Sequence, residues 1–268
     1  MRTLLWAALL LAAATFPALA QGTASPEVIK ELAPTGKLRA AINLGNAVLA
    51  QGSAQEPHGI TVDLSRELAR RTDLALELVT FPAAGKVFEA LKAGAWDIAF
   101  IAIEPVRAAE IDFSAPYVFI EGTYMVPKDS TLKEVADVDR AGVRIAVGRD
   151  SAYDLYLTRT IQHATLVRAP IGGGRAMIDL FLADKLEAVA GVKQPLIDYA
   201  KTDPNVRVMD GRFMVIEQAM GTPKGRPAAA RYVHGFVEDM KASGFVADAL
   251  KRSNQTDATV APPERAGG

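Results

Sequence analysis

Cysteine is absent from all 268 residues, so disulfides, thiolate nucleophiles and cysteine-held zinc or iron–sulfur sites are excluded. Histidine is scarce: His58, His163 and His234 are too dispersed for a metal-binding pair on one helix, and no metal site is expected. Neither sign of charge dominates, since 30 Lys and Arg face 31 Asp and Glu, giving a net charge of −1 and a pI near 6.3. That balance leaves no broad basic field to attract nucleic acid or anionic lipid. No Gly-x-Ser-x-Gly elbow of a hydrolase occurs. The run Gly172-Gly173-Gly174 lacks the Gly-Lys-Ser/Thr or Gly-x-Gly-x-x-Gly context of a phosphate loop and reads as a turn. The carboxylate pairs show no spacing that argues for acid–base chemistry.

What is present is apolar: half of the chain, enough to bury a large core and to divide into about two domains. Residues 1–20 are set apart by Arg2, an apolar run over residues 4–16 and Ala18-Leu19-Ala20, the pattern of a cleaved secretory signal. The run is shorter than the ~20 residues that span a bilayer. The expected mature chain starts at Gln21, carries a charge of −2 once Arg2 is removed and, without cysteine, offers nothing to lipidate. A soluble periplasmic protein is the expectation.

Between residues 36 and 117 short apolar strands alternate with helical periods. Residues 37–42 read as a strand, and Ile60, Leu64 and Leu68 recur on one helix face. Residues 75–81 alternate as a strand, and a helix carrying Val87, Ala90 and Leu91 stops at Gly94. Residues 97–103 are almost continuously apolar, as suits a central parallel strand. The second half repeats this plan without repeating the sequence: strands near 123–126, 143–147, 166–167 and 188–190, a capping box at Thr131 and Glu134, another at Ser151 and Asp154, and a late helix with Val233, Phe236, Val237 and Met240 on one face. The fold class is α/β. Residues 255–268 lack periodicity and read as a disordered tail.

Ligands of open α/β sheets sit beyond the carboxyl ends of the strands. Two segments lie there: Glu104-Pro105-Val106-Arg107, after the apolar strand, and Gly148-Arg149-Asp150-Ser151-Ala152, before a helix. Arg107 can grip a carboxylate with parallel hydrogen bonds, and N–H groups at Ser151 and Ala152 can hold an anion. Glu121 and Glu217 read as exposed strand positions, and Ser151 as an N-cap in any case.

Three motifs carry a family likeness. Gly59-Ile60-Thr61-Val62-Asp63-Leu64, then Ala90-Leu91-Lys92-Ala93-Gly94-Ala95-Trp96-Asp97-Ile98-Ala99, then Arg107 with Ile111-Asp112-Phe113-Ser114-Ala115-Pro116-Tyr117, together resemble the family 3 extracellular solute-binding proteins, receptors of amino-acid-type ABC importers. The resemblance implies the two-lobe periplasmic-binding-protein fold of type II, each lobe a mostly parallel sheet flanked by helices. Two crossing strands, near 118–122 and 216–220, would serve as the hinge. Lobe 1 would comprise residues 21–122 and 216–254, and lobe 2 residues 123–215. It also implies a monomer without cofactor, a carboxylate-bearing small ligand and an inner-membrane ABC permease as partner. Arg107 stands where the family's arginine meets the ligand carboxylate. Other ligand positions depart from the pattern: Asn43 replaces an acidic residue, Asn46 an aromatic, Ala102 a hydroxyl-bearing residue, and Val192 the aspartate that meets a ligand ammonium. An organic acid, simple or hydroxylated, is therefore expected rather than an amino acid. Glu104 remains as the acid that could swing toward the cleft and take an ammonium, or serve as the acid or base of a dehydratase-like enzyme on the same fold. A ligand-sensing receptor is the third alternative.

Overall fold

A computed structural model describes residues 24–255 and 257–264; the expected signal, residues 1–20, lies outside the described residues. Helix α1 (Pro26–Leu32) starts at Ser25, whose hydroxyl accepts from the Val28 N–H, and leads to strand β1 (Leu38–Asn43). A small hairpin of β2 (Gln51–Gly52) and β3 (Pro57–His58) precedes helix α2 (Ile60–Thr72), which buries Ile60, Leu64 and Leu68 as the periodicity requires. Strand β4 (Leu76–Phe81), helix α3 (Ala84–Leu91), the wholly buried β5 (Ile98–Ala102) and the short helix α4 (Pro105–Ala108) complete the first alternation.

Strand β6 (Ile111–Pro127) then crosses from one group of strands to the other without a break, so the strand expected near 123–126 is its second half. A 3-10 turn (Val135–Val138) follows, capped by Glu134 with Asp137 rather than by Thr131 with Glu134, because the chain turns three residues later than the motif suggests. The second alternation is β7 (Arg144–Gly148), α5 (Ala152–Thr160), β8 (Thr165–Ala169), α6 (Ala176–Ala183), β9 (Ala188–Val192), α7 (Lys193–Ala200) and β10 (Val206–Val208). Strand β11 (Met214–Pro223) returns to the first group, followed by α8 (Pro227–Ala242), α9 (Phe245–Arg252) and β12 (Thr259–Val260).

The sheet order is β4-β1-β5-β11-β6-β9-β7-β8. Strands β4, β1 and β5 run parallel, as do β8, β7 and β9, and the antiparallel pair β6 and β11 joins the two sets. Each lobe is thus a mostly parallel sheet between helices, with crossing strands as hinge.

Both lobes close their sheets with the same ionic clamp, a repetition invisible in the sequence. Asp97, fully buried ahead of β5, accepts from the Arg39 N–H and from Arg39 Nε and Nη2 at 2.9 Å each, while Arg39 Nη1 reaches the Gly94 carbonyl. Glu187, ahead of β9, receives the Arg144 N–H, Nε and Nη2 in the same way, and Nη2 also reaches the Lys185 carbonyl. Arg226 adds a second cation to Asp97 at 2.9 Å and ties α8 to the first lobe. Trp96, also fully buried, donates from its indole to the Val87 carbonyl. The Trp-Asp motif therefore serves the fold.

The disordered tail expected from 255 onward is corrected over residues 257–264. Strand β6 has an edge left open short of β9, and β12 pairs there with Val118 and Phe119. Ala261 is buried and donates to the Tyr117 carbonyl, and Lys241 holds the Pro262 carbonyl at 2.9 Å. Two apolar residues, Val260 and Ala261, suffice to dock a segment onto unpaired backbone.

Candidate functional site

The carboxyl ends of β1, β5, β7 and β9 and one face of β11 surround a cavity of about 280 Å³ between the lobes. Arg107 is its charged centre. Pro105 starts α4 directly after β5, and this short turn carries Arg107 back under the strand end with only 1% of its surface exposed. Its Nη1 donates to the Ala102 carbonyl at 3.0 Å and its Nη2 to the Asp150 carbonyl at 2.8 Å, across the cleft. Two fixed acceptors orient the guanidinium and leave its other N–H groups for a ligand. Burial lowers its pKa to about 10, opposed by the nearby Glu104 and Asp150 carboxylates, so the group is a cation at neutral pH.

The opposite wall begins at the N-terminus of α5. Ser151 Oγ accepts from the Asp154 N–H at 3.1 Å, and the Asp154 carboxylate takes the N–H of Asp150, which has a left-handed backbone with φ of 58°. The Ser151 N–H, expected to be available to an anion, instead donates to the Gly148 carbonyl. The available groups lie one residue further on: the N–H groups of Ala152 and Tyr153 have no acceptor among the described residues. Both residues line the cavity, at the positive end of the helix.

Of the residues singled out from sequence, Asn43, Asn46, Ala102, Arg107, Ser151, Ala152 and Val192 all line the cavity. Glu104 does not, which corrects its place in the site. It is 3% exposed and its Oε2 lies 2.7 Å from Arg159 Nη1 on α5, an ion pair whose geometry makes no hydrogen bond. The asparagines present donors to the cavity rather than acceptors. Asn43 Oδ1 accepts from Gly45 N and Asn46 Oδ1 from Val48 N, so both oxygens are engaged in turns and the amide NH₂ groups are what remain to offer. Val192 ends β9 and caps α7, and no aspartate or glutamate is among the cavity-lining residues described.

Sequence reasoning missed the walls. Met177 and Ile178 on α6, Tyr199 on α7 and Tyr153 on α5 line the cavity. Burial pushes the Tyr153 hydroxyl up to about 12, so it stays protonated. Arg175 sits at the mouth, its guanidinium 4.9 Å from the Tyr199 ring centre and its Nε bound to Asp179. On β11, Ile216 and Gln218 face the cavity, while Val215 is exposed on the other face. Glu121, read as an exposed strand position, pairs with Lys193 and Arg212.

The lobes meet at the rim. Gly174 N–H donates to the Gly45 carbonyl at 3.0 Å. A Cβ on Gly173 would stand 2.7 Å from the Gly45 Cα and 2.9 Å from the Pro82 carbonyl oxygen, so the run read as a turn is where the two backbones touch. Only glycine permits that approach.

No curated protein matches the sequence. Among solved structures, the chain superposes on the amino acid ABC transporter substrate-binding protein AbpA of Streptococcus pneumoniae bound to L-arginine, with 19% identity, a TM-score of 0.71, and coverage of 84% of this chain and 97% of that one. The solute receptor for L-cysteine of Neisseria gonorrhoeae matches at 21% identity and a TM-score of 0.71, over 84% and 92% of the respective chains. An ancestral amino acid-binding protein, a precursor of cyclohexadienyl dehydratase, matches at 20% identity and a TM-score of 0.70, over 84% and 97%. These likenesses establish the fold. The sequence profile of one family covers residues 47–254, and the chain is a member of the bacterial extracellular solute-binding proteins, family 3.

Proposed function

We propose that this solute-binding protein captures a small organic acid without an ammonium group in the bacterial periplasm and, as a monomer, delivers it to an inner-membrane ABC permease. One observation carries the reading: the cavity holds a buried arginine and two unengaged helix N–H groups, while none of its described lining residues is acidic. A carboxylate is matched by Arg107 through charge-assisted hydrogen bonds. An α-ammonium group enclosed in the same cavity would be an unpaired buried charge, costing several kcal/mol even after relaxation. Relatives on this fold bind L-arginine and L-cysteine, and Val192 accounts for the departure from them proposed here.

The enzyme reading finds less support. Its acid or base would be Glu104, which is paired with Arg159 and is not among the cavity-lining residues, whereas a general acid or base must reach the substrate. Calorimetric titrations of α-amino acids against the same skeletons lacking the amino group decide the ligand class, and the recovered ligand is checked for chemical change. The deaminated acids should bind at least a hundredfold more tightly. Amino acids binding below about 10 μM while their deaminated partners do not would overturn the proposal.

A further inference from the structure

Gln218 is the buried polar side chain that the carboxylate site leaves without a task. It is 4% exposed, lines the cavity, and its amide has no hydrogen-bond partner among the described residues. The amide is not among the fully enclosed side-chain atoms that lack a partner, so it opens onto the cavity, where a ligand can take up its hydrogen bonds. Its placement is constructed. Strand β11 pairs Gln218 with Ala102 on one side, next to the carbonyl that orients Arg107, and with Val118 on the other. Between Gln218 and Ala219 the register against β6 slips, because β6 carries an extra residue. The extra residue, Tyr117, is on β6, so the bulge bends that strand beside Gln218. Around these polar groups the wall is apolar: Leu44, Met177, Ile178, Val192 and Ile216.

Building on the organic-acid reading, we infer that the ligand is a carboxylate with an oxygen on carbon 2 and a branched or aromatic apolar body, and that Gln218 is the specificity residue that reads the 2-oxygen. Arg107 takes the carboxylate, Gln218 hydrogen-bonds the adjacent oxo or hydroxyl group, and the apolar wall receives the rest. The cavity, about 280 Å³, is at the small end of ligand sites, in keeping with one small body of this kind.

The test is calorimetric titration of the dialysed mature protein, wild type and Gln218→Met, with 4-methyl-2-oxopentanoate, 2-hydroxy-4-methylpentanoate, 4-methylpentanoate, pyruvate and leucine. The wild type should bind the oxygenated six-carbon acids roughly three- to tenfold more tightly than 4-methylpentanoate, the worth of one interior hydrogen bond. It should bind pyruvate at least about tenfold more weakly than 4-methyl-2-oxopentanoate, since the apolar body is missing. Gln218→Met should abolish the gain from the 2-oxygen, read as the ratio of affinities for 4-methyl-2-oxopentanoate and 4-methylpentanoate falling to about one. Equal affinity for acids with and without the oxygen in the wild type, or pyruvate binding as tightly as the larger acids, overturns the inference and leaves the organic-acid reading standing. The wild-type series decides this even if the variant fails to fold. Leucine binding more tightly than its 2-oxo counterpart overturns both.

Discussion

Arg107→Ala removes the centre of the site, and the structure gives two separable consequences. The first is on the ligand. A carboxylate facing Arg107 loses two charge-assisted hydrogen bonds, each worth about 1.5–3 kcal/mol. A total of about 3–6 kcal/mol corresponds to a loss of affinity between about a hundredfold and about twenty-thousandfold. The second is on closure. The Ala102 and Asp150 carbonyls lose their donors, and the latter bond, at 2.8 Å, spans the lobes. The cost of about 1–2 kcal/mol should lower the melting temperature by roughly 2–8 °C. Arg107→Lys should recover little, because an ammonium is a point charge and cannot hold two carbonyls and a carboxylate in one plane. Calorimetric titration with the best-binding organic acid, alongside thermal melts and circular dichroism, reads both consequences. Affinity within about threefold of wild type in a folded Arg107→Ala protein would refute the assignment of the ligand site.

Gly173→Val should hold the rims apart, because even its Cβ meets the Gly45 backbone at 2.7 Å; weaker binding and a larger radius of gyration by small-angle scattering are expected, with an unchanged circular dichroism spectrum. Affinity for a carboxylate should be flat from pH 6 to 9 and fall above pH 10, since burial lowers Arg107 to about 10 and only the protonated form pairs with the ligand, which in turn raises that pKa; a fall beginning near pH 7 in calorimetry would contradict this. Asp97→Ala should destabilise the fold by about 3–5 kcal/mol by stripping a buried carboxylate from Arg39 and Arg226, whereas Glu187→Ala, at a half-exposed clamp, should cost under about 1 kcal/mol. Urea unfolding of the two variants checks that ratio. Deleting everything after Gln255 should lower the melting temperature by roughly 3–8 °C, because the β12 ladder and the Lys241 contact to Pro262 are lost.

The fold was legible because its signals are local. The run ending at Ala102, the helix face of Ile60, Leu64 and Leu68 and the cap at Ser151 depend on residues near each other in sequence, and the structure keeps them. The place of Arg107 at the cavity was legible for the same reason, since it stands just beyond a buried strand. The site walls were not. Met177 has the spacing of any core residue, and nothing nearby says that a cavity opens against it. Gln218 could have been found from the alternation Ile216, Glu217, Gln218, which puts a polar residue on the buried face of a crossing strand. The role of Glu104 was misread because its partner Arg159 lies on the other lobe, 55 residues away. The docked segment at Val260 and Ala261 was missed because two residues carry no periodicity.

The most direct measurement is mass spectrometry of the small molecule released on denaturing protein purified gently from its native host, followed by its return to the stripped wild-type protein and to Arg107→Ala. The account predicts a carboxylate without an amino group that rebinds the wild type and loses at least about a hundredfold in affinity for the variant. A released α-amino acid that rebinds the wild type with micromolar or tighter affinity would contradict it.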